Sequence, residues 1–481
     1  MNLTNKRVLV LGMARSGIAA AELLLHHGAI PVLADSKPEE AFGNSLDSLR
    51  NTACLFRLGE DPIALLDEAD LLLISPGVPI DAPVVLAAKD KSVTVTGELE
   101  MASVLLSGDM VAISGTNGKT TTTTLTGKIF ENAGRVTHVA GNIGYPLSSV
   151  ARVSKKTDMS VVEVSSFQLE SVKTFHPKVA ALLNITEDHL NRHGTMAQYI
   201  KLKQRLFENQ KSTDVAVLNM DDPVLFKMAG KLKSRVAFFS RTQKVENGAF
   251  VEDGKIIWQW DGVRKPVCDV DQVLIPGPHN LENALAATAI ACAMGIPTPI
   301  IRHTLISFTG VEHRIEKVRI FQGVTYINDS KGTNVDSTIK AVQSMKAPTV
   351  LILGGYDKHT DFMPLCREIV SSGNISKVIA IGQTAKQIHQ QLNEAGYTAV
   401  QRAYSFEEAV NTARENAVAG GNVLLSPACA SFDMFKDFEH RGEVFKELVN
   451  SLKSAIPFPQ VEEMCTKASI FHRMWGGFVF S

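Results

Sequence analysis

An excess of charge of either sign is missing from this sequence: 49 basic residues face 50 acidic ones, for a formal net charge of −1. That balance excludes partners held through bulk charge, so neither nucleic acid nor an anionic membrane surface is expected. Nucleotides and small anions need only local basic groups. Long apolar runs are missing as well. No stretch approaches the roughly 20 apolar residues of a membrane span. The run Val8–Leu11 is too short for a signal peptide, so a cytoplasmic protein is expected. Cysteine is sparse: six, at positions 54, 268, 292, 366, 429 and 465, with no CxxC pair and no His/Cys cluster at zinc spacing. They read as small buried thiols rather than disulfides or metal ligands. Internal repeats and low-complexity tracts are absent too.

What is present is 481 residues, 45% apolar and 21% charged, a globular composition long enough for about three domains. Residues 1–98 open with a strand (Arg7–Leu11), a Gly-bounded turn, and a helix with apolar Ile18, Ala21, Leu24 and Leu25. A strand Pro31–Ala34 follows, and Asp70–Ile74 runs into the turn Ser75-Pro76-Gly77. Residues 99–310 place GTNGKT between a strand, Met110–Ser114, and a helix. Further apolar strands end in VTHVAGN, SVVEVSS, VAALLNITEDH and VAVLNMDD. The stretch Val236–Val273, with Trp258 and Trp260, reads as antiparallel, and GPHNLENALAATAIACAMG as a closing helix. Residues 311–455 carry strands Val324–Asn328, Thr349–Leu353, Lys377–Ile381 and Asn422–Leu425 between helices. Strands alternating with helices predict an α/β chain with parallel sheets and sites at strand C-termini. Two Rossmann-like doubly wound domains would flank a central P-loop ATPase-type α/β domain. Residues 456–481 have no clear period and form a tail without an assigned role.

GTNGKT, Gly115 to Thr120, is the strongest local motif. Its glycines let backbone N–H groups close on phosphate oxygens, and the following helix N-terminus adds positive potential. Lys119 can reach the β- and γ-phosphates, and the Thr120 hydroxyl can bind Mg²⁺. The form is GxxGKT, because Ile113 stands where the longer P-loop has glycine. The first turn, GMARSG, with Asp35 about 20 residues on, lacks the middle glycine of a dinucleotide fingerprint. Another nucleotide, or purely structural glycines, fits better than NAD. Glu163 ends an apolar strand and reads as a Mg²⁺ ligand or as a capping carboxylate. TEDHLNRHG reads as a helix start capped by Thr186, with His189 as ligand or substrate contact. Asn280 and Asn283, one helical turn apart, suit an adenine edge, or Asn280 caps the helix. Arg314 suits a phosphate or the surface. Asp329, Ser330, Lys331, Thr333, Lys358, Ser431 and Phe438 gather just after strands, where a carboxylate-bearing substrate would bind.

GTNGKT, VEVSSFQLE, NITEDHLNRHG, GPHNLENALAA, EHRIE, NDSKGTN, GGYDKHTDF and SPACASFDMFKDFEHRGEVF occur in the order found in the Mur ligase family. The last four resemble its D-glutamate-adding branch. The resemblance covers roughly residues 5–452. It implies domains for a UDP-sugar, for ATP and for the incoming amino acid. The implied reaction is ATP-dependent ligation of D-glutamate to UDP-N-acetylmuramoyl-L-alanine through an acyl phosphate, in cytoplasmic peptidoglycan precursor synthesis. ATP would be a co-substrate and a pair of Mg²⁺ ions the cofactor, with the chain acting as a monomer.

Carried over by motif, Gly115, Thr116, Asn117, Gly118, Lys119, Thr120 and Thr121 would hold ATP, with Asn280 and Asn283 on adenine. Arg314 and Asp329 would approach ATP from the third domain, and Lys331 would support phosphate or substrate. Thr120, Glu163, His189 and a carbamylated Lys203 would hold metal. Lys119, Lys203, His189 and Glu163 would form the catalytic set. Without the resemblance, Lys203 reads as a solvated helix lysine. Ser16, Asp35, Ser36, Lys37, Asn142 and His189 would meet the UDP-sugar. Thr333, Lys358, Ser431 and Phe438 would form the D-glutamate pocket, with Phe432 where an aliphatic residue is expected. The rivals are a sister ligase or folylpolyglutamate synthase, and a P-loop regulatory protein without ligase chemistry.

Overall fold

The computed structural model describes residues 2–188, 190–275, 277–357 and 360–453. The expected site residues His189 and Lys358, and the tail 456–481, lie outside the described residues.

Short apolar runs such as RVLVL, LLLI, VAAL and VAVLN are buried almost throughout. Runs of this kind form strands covered on both faces, which is how parallel sheets are built. The first sheet holds β1 (Arg7–Leu11), β2 (Ile30–Ala34), β3 (Leu55–Phe56), β4 (Leu71–Ile74) and β5 (Thr94–Gly97). Its order is β3-β2-β1-β4-β5 and every pair is parallel. The order reverses between β1 and β4, and a doubly wound sheet opens its ligand crevice at such a point.

The second sheet holds β6 (Asp109–Ser114), β7 (Thr137–Gly141), β8 (Met159–Glu163), β9 (Val179–Leu182), β10 (Val215–Asn219), β11 (Arg235–Ser240), β12 (Gly248–Glu252), β13 (Lys255–Trp260) and β14 (Val263–Asp269). Its order is β14-β13-β12-β11-β10-β9-β6-β8-β7. Only β12–β13 and β13–β14 are antiparallel. The antiparallel stretch expected from Val236 therefore starts later. The helix Pro223–Ala229 crosses over from β10, so β11 enters the sheet parallel.

The third sheet holds β15 (Glu316–Phe321), β16 (Val324–Asn328), β17 (Thr349–Gly354), β18 (Ile375–Ile381), β19 (Val400–Arg402) and β20 (Asn422–Leu425), in the order β15-β16-β20-β17-β18-β19. The hairpin strand β15 is antiparallel to β16, and the other pairs are parallel.

Contacts divide the chain into two compact units, Met1–Gly310 and Val311 onward. The first unit contains two sheets because they share one core. Ala20, Leu23 and Leu24 of the helix Arg15–His26 join Leu99 and Ala102 of the helix Glu98–Leu105, with Leu147 and Val150 of the helix Leu147–Ala151. Cys54, Cys268, Cys292, Cys366 and Cys429 are free thiols, buried except for half-buried Cys292. No described helix is long and apolar enough to cross a membrane.

Candidate active site

The chain leaves β6 at Ser114 and turns through Gly115 (φ +152°) and Gly118 (φ +82°) into the helix Lys119–Asn132. A side chain at Gly118 would overlap the Asn283 Oδ1 atom. Ile113 is buried within β6 opposite Glu163. The strand thus runs on where a longer P-loop would already have turned, and this is why the loop is short.

Asn184, which the sequence did not single out, clamps the loop. Its Oδ1 accepts from Asn117 N at 2.8 Å, its Nδ2 donates to Asn117 O at 3.1 Å, and its carbonyl accepts from Thr116 N at 3.0 Å. An amide just past a strand C-terminus was the only signal. Thr186, expected as a helix cap, instead gives its N–H to Thr116 Oγ1 at 3.0 Å, and the described helix begins at Leu190.

Lysines converge on the same loop. Lys119 Nζ donates to Gly115 O and Thr116 O, both at 2.9 Å. Lys203 Nζ donates to Gly115 O at 2.9 Å and Ser114 Oγ at 3.0 Å. Far from solvated, Lys203 is 1% exposed, because the helix Met196–Gln204 turns Tyr199, Leu202 and Lys203 inward. Its ammonium stands 5.3 Å from the Tyr199 ring centroid, and the Tyr199 hydroxyl lies 3.2 Å from Thr116 Oγ1. Burial, helped by the charge of Lys119, pushes the Lys203 pKa well below the usual lysine range; Asp188 and Glu163 oppose the shift.

Glu163, at the end of β8, is also 1% exposed. Its Oε1 accepts from Asn142 Nδ2 at 2.9 Å, and its carbonyl from Asn142 N at 2.9 Å. Gly141 (φ +101°) allows this approach, since a Cβ there would overlap the Glu163 carbonyl. Glu163 Oε2 is buried without a hydrogen-bond partner among the described residues. Such an orphaned carboxylate oxygen beside a phosphate loop fits a hard cation. No group of at least three His, Cys, Asp or Glu side chains among the described residues could cage a metal alone.

Asn283 is buried, accepting from Thr122 Oγ1 at 3.2 Å and donating to Asn280 Oδ1 at 3.2 Å. Its amide therefore ties the helix Pro278–Ala293 to the loop helix. Gly277, not Asn280, occupies the N-cap. In the first sheet, Asp35 accepts from Met13 N at 2.8 Å and Lys37 N at 3.0 Å, closing the turns after β1 and β2. Ser36 and Lys37 are exposed beside it, and Ser16 is half-buried in the first turn of the helix Arg15–His26.

The second unit gathers its own residues at the C-terminal edge of its sheet. Asp329 is 4% exposed, accepting from Ser426 Oγ at 2.6 Å and Ile315 N at 3.2 Å. Burial raises its pKa to about 7, against the opposing pull of Ser426 and Arg314. Arg314 lies between His313 (φ +61°) and Ile315 (φ +48°); left-handed backbone at a β-branched residue is a real strain. Thr333 N donates to Lys331 O at 2.8 Å, and the Lys331 ammonium stands 5.9 Å from the Phe438 ring centroid. Ser431 is buried, while Phe432 is 64% exposed against Tyr356. Arg441, which sequence reasoning passed over, is fully buried and binds Ser330 Oγ and O, both at 2.9 Å, plus the carbonyls of Cys429 and Ala430.

Family models cover most of the chain. The MurD-like N-terminal domain of Mur ligases matches residues 6–97, the Mur ligase middle domain 113–291, and the glutamate ligase domain 313–429. The chain belongs to the Mur ligase family. Among the relatives of this Mur ligase, the UDP-N-acetylmuramoylalanine–D-glutamate ligase of Thermoanaerobacter sp. (strain X514) is 45% identical over 455 residues, spanning 94% of this chain and 100% of that protein. The enzyme of the same name from Pelotomaculum thermopropionicum is 47% identical over 450 residues, 94% of this chain and 98% of its own. The fold matches solved structures of more distant members. UDP-N-acetylmuramate-alanine ligase from Thermotoga maritima has a TM-score of 0.58 at 17% identity, covering 93% of this chain and 100% of that one. The MurF ligase from Thermotoga maritima in complex with ADP has a TM-score of 0.55 at 18% identity, covering 93% and 96%.

Proposed function

We propose that this Mur ligase joins D-glutamate to UDP-N-acetylmuramoyl-L-alanine with ATP as co-substrate. The observation that carries the reading is the meeting of Lys119, Lys203 and Glu163 at one phosphate loop. It sits in a chain that aligns almost end to end with ligases of that name.

The backbone N–H groups of Gly118–Thr121, together with Lys119, hold the ATP phosphates and align the γ-phosphorus, while Gly115, Thr116 and Asn117 shape the loop, Asn184 accepting from the Thr116 and Asn117 N–H groups. Asn280 faces adenine; Asn283 acts behind it, since its amide is engaged inside the protein. An oxygen of the alanyl carboxylate attacks the γ-phosphorus, ADP leaves, and an acyl phosphate forms. The D-glutamate amine then attacks the acyl carbon. Inorganic phosphate departs with that carboxylate oxygen, and the amine proton passes to a base. Anions meet in the first step, and Lys119 offsets their repulsion. Glu163, the Thr120 hydroxyl, His189 and Lys203 would hold Mg²⁺, which when bound supplies charge neutralisation at the phosphates. Burial keeps Lys203 inclined to the neutral amine, the form that adds carbon dioxide to give a carbamate. That carbamate turns a cation into an oxygen ligand.

Asn142, with the first-sheet residues Ser16, Asp35, Ser36 and Lys37, contacts the UDP-sugar. Thr333, Lys358, Ser431 and Phe438 hold D-glutamate, and Asp329 orients Arg314. The enzyme works in the cytoplasm as a monomer.

The test is phosphate release from ATP with UDP-N-acetylmuramoyl-L-alanine and, in turn, D-glutamate, L-lysine, meso-diaminopimelate and L-alanine. Release with D-glutamate alone is expected. Release only with another amino acid would reassign the chain to a sister ligase.

A further inference from the structure

Arg192 lies three positions past the expected ligand His189, in the short helix Leu190–His193. Its Nε and Nη2 grip the Glu170 carboxylate at 3.0 and 2.6 Å, and its guanidinium stacks 4.6 Å from the Phe167 ring centroid. The same guanidinium reaches out of the second sheet. Nη2 lies 3.3 Å from Val78 O and Nη1 3.5 Å from Gly77 O. Those carbonyls belong to the turn that follows β4, the wall of the β1/β4 crevice where a doubly wound sheet takes its ligand.

From Glu170 the connection continues inward. His193 Nδ1 stands 3.4 Å from Glu170, and its Nε2 is 3.0 Å from Ser166 Oγ, on the segment just beyond Glu163. The His193 ring packs on Tyr199, whose hydroxyl meets Thr116 of the phosphate loop. The Arg192 and Glu170 side chains are only 19% and 9% exposed, so solvent screens the pair little. A planar fork on a carboxylate fixes direction as well as distance, which an ammonium cannot reproduce.

We infer that Arg192 is a positioning residue: it pins the Ser75–Val78 turn of the sugar-nucleotide crevice to the segment carrying the metal and phosphate groups. It thereby sets where the substrate carboxylate meets ATP. This rests on the ligase reading above. A role in packing alone predicts lost stability and falling activity with both substrates. A positioning role predicts a selective loss for one of them.

The test is steady-state kinetics of the full chain, wild type beside Arg192→Ala, Arg192→Lys and Glu170→Gln, with melting temperatures recorded in parallel. Arg192→Ala and Arg192→Lys should each raise KM for UDP-N-acetylmuramoyl-L-alanine by about tenfold, with KM for ATP within about twofold of wild type. Millimolar guanidinium should restore KM for Arg192→Ala, and ammonium should not. Glu170→Gln should show the same selective rise if an alanine variant fails to fold. Equal rises in both KM values, an unchanged KM, or no rescue by guanidinium would overturn the inference. A wild type without D-glutamate-dependent phosphate release would instead overturn the ligase reading itself.

Discussion

At the scale of single residues, burial shifts one group in each compact unit, lowering the Lys203 pKa and raising that of Asp329. Lys203 shows how far sequence can mislead. On a helix reading YIKLKQRLF it has the look of a solvated lysine, and only the resemblance pointed to it. Its burial depends on what the fold packs around that helix, which no local pattern encodes. The place of Glu163 was more legible, because it closes an apolar run that forms a buried strand. Asp329 yields a prediction. Burial raises its carboxyl from 3.8 to about 7. The folded state then holds that proton more tightly than the unfolded chain does. The associated stability is fully present below pH 4 and is lost as pH rises to about 7. Asp329→Asn cannot titrate. Without ATP, its melting temperature relative to wild type should climb between pH 4 and pH 7 and then level off. The span corresponds to at most about 4 kcal/mol. A difference independent of pH would contradict this origin.

At the scale of elements, the phosphate loop works because a second helix closes over it. Gly118 sits in left-handed backbone with Asn283 Oδ1 against the place of its missing Cβ. Gly118→Ala should cost about 1–3 kcal/mol in denaturant unfolding and raise KM for ATP. Adding Asn283→Ala removes the overlap, so the double variant should lose less than the sum of the single losses. Strict additivity would place the strain in the backbone alone. The same contact explains what the motif reading missed. Asn280 and Asn283 were read as a pair suited to an adenine edge, yet the Asn283 amide is spent on Thr122 and Asn280. Strands with apolar runs such as Arg7–Leu11, Val324–Asn328 and Lys377–Ile381 were found to within two residues at either end. The more polar β15 and the three-residue β19 carry too few apolar residues to announce themselves. β11 was assigned the wrong direction because a crossover leaves no trace in the strand's own composition.

At the scale of the molecule, sequence length suggested about three domains, and three sheets are present, but packing makes two compact units. The helix Arg15–His26 is the reason: Leu23 and Leu24 are covered by helices beyond residue 98. A fragment of residues 1–310 should therefore unfold in one cooperative transition by circular dichroism. A fragment of residues 1–98 should show none, having left that apolar face open. Cooperative melting of the short fragment would show the shared core to be dispensable.

The central claim is that this chain activates a carboxylate by phosphorylation and delivers it to D-glutamate. It is tested most directly by supplying UDP-N-acetylmuramoyl-L-alanine labelled with oxygen-18 in the alanyl carboxylate, with ATP, Mg²⁺ and D-glutamate, and weighing the released phosphate. The account predicts phosphate carrying one substrate oxygen, formed in step with the D-glutamyl amide. Unlabelled phosphate alongside product would contradict it.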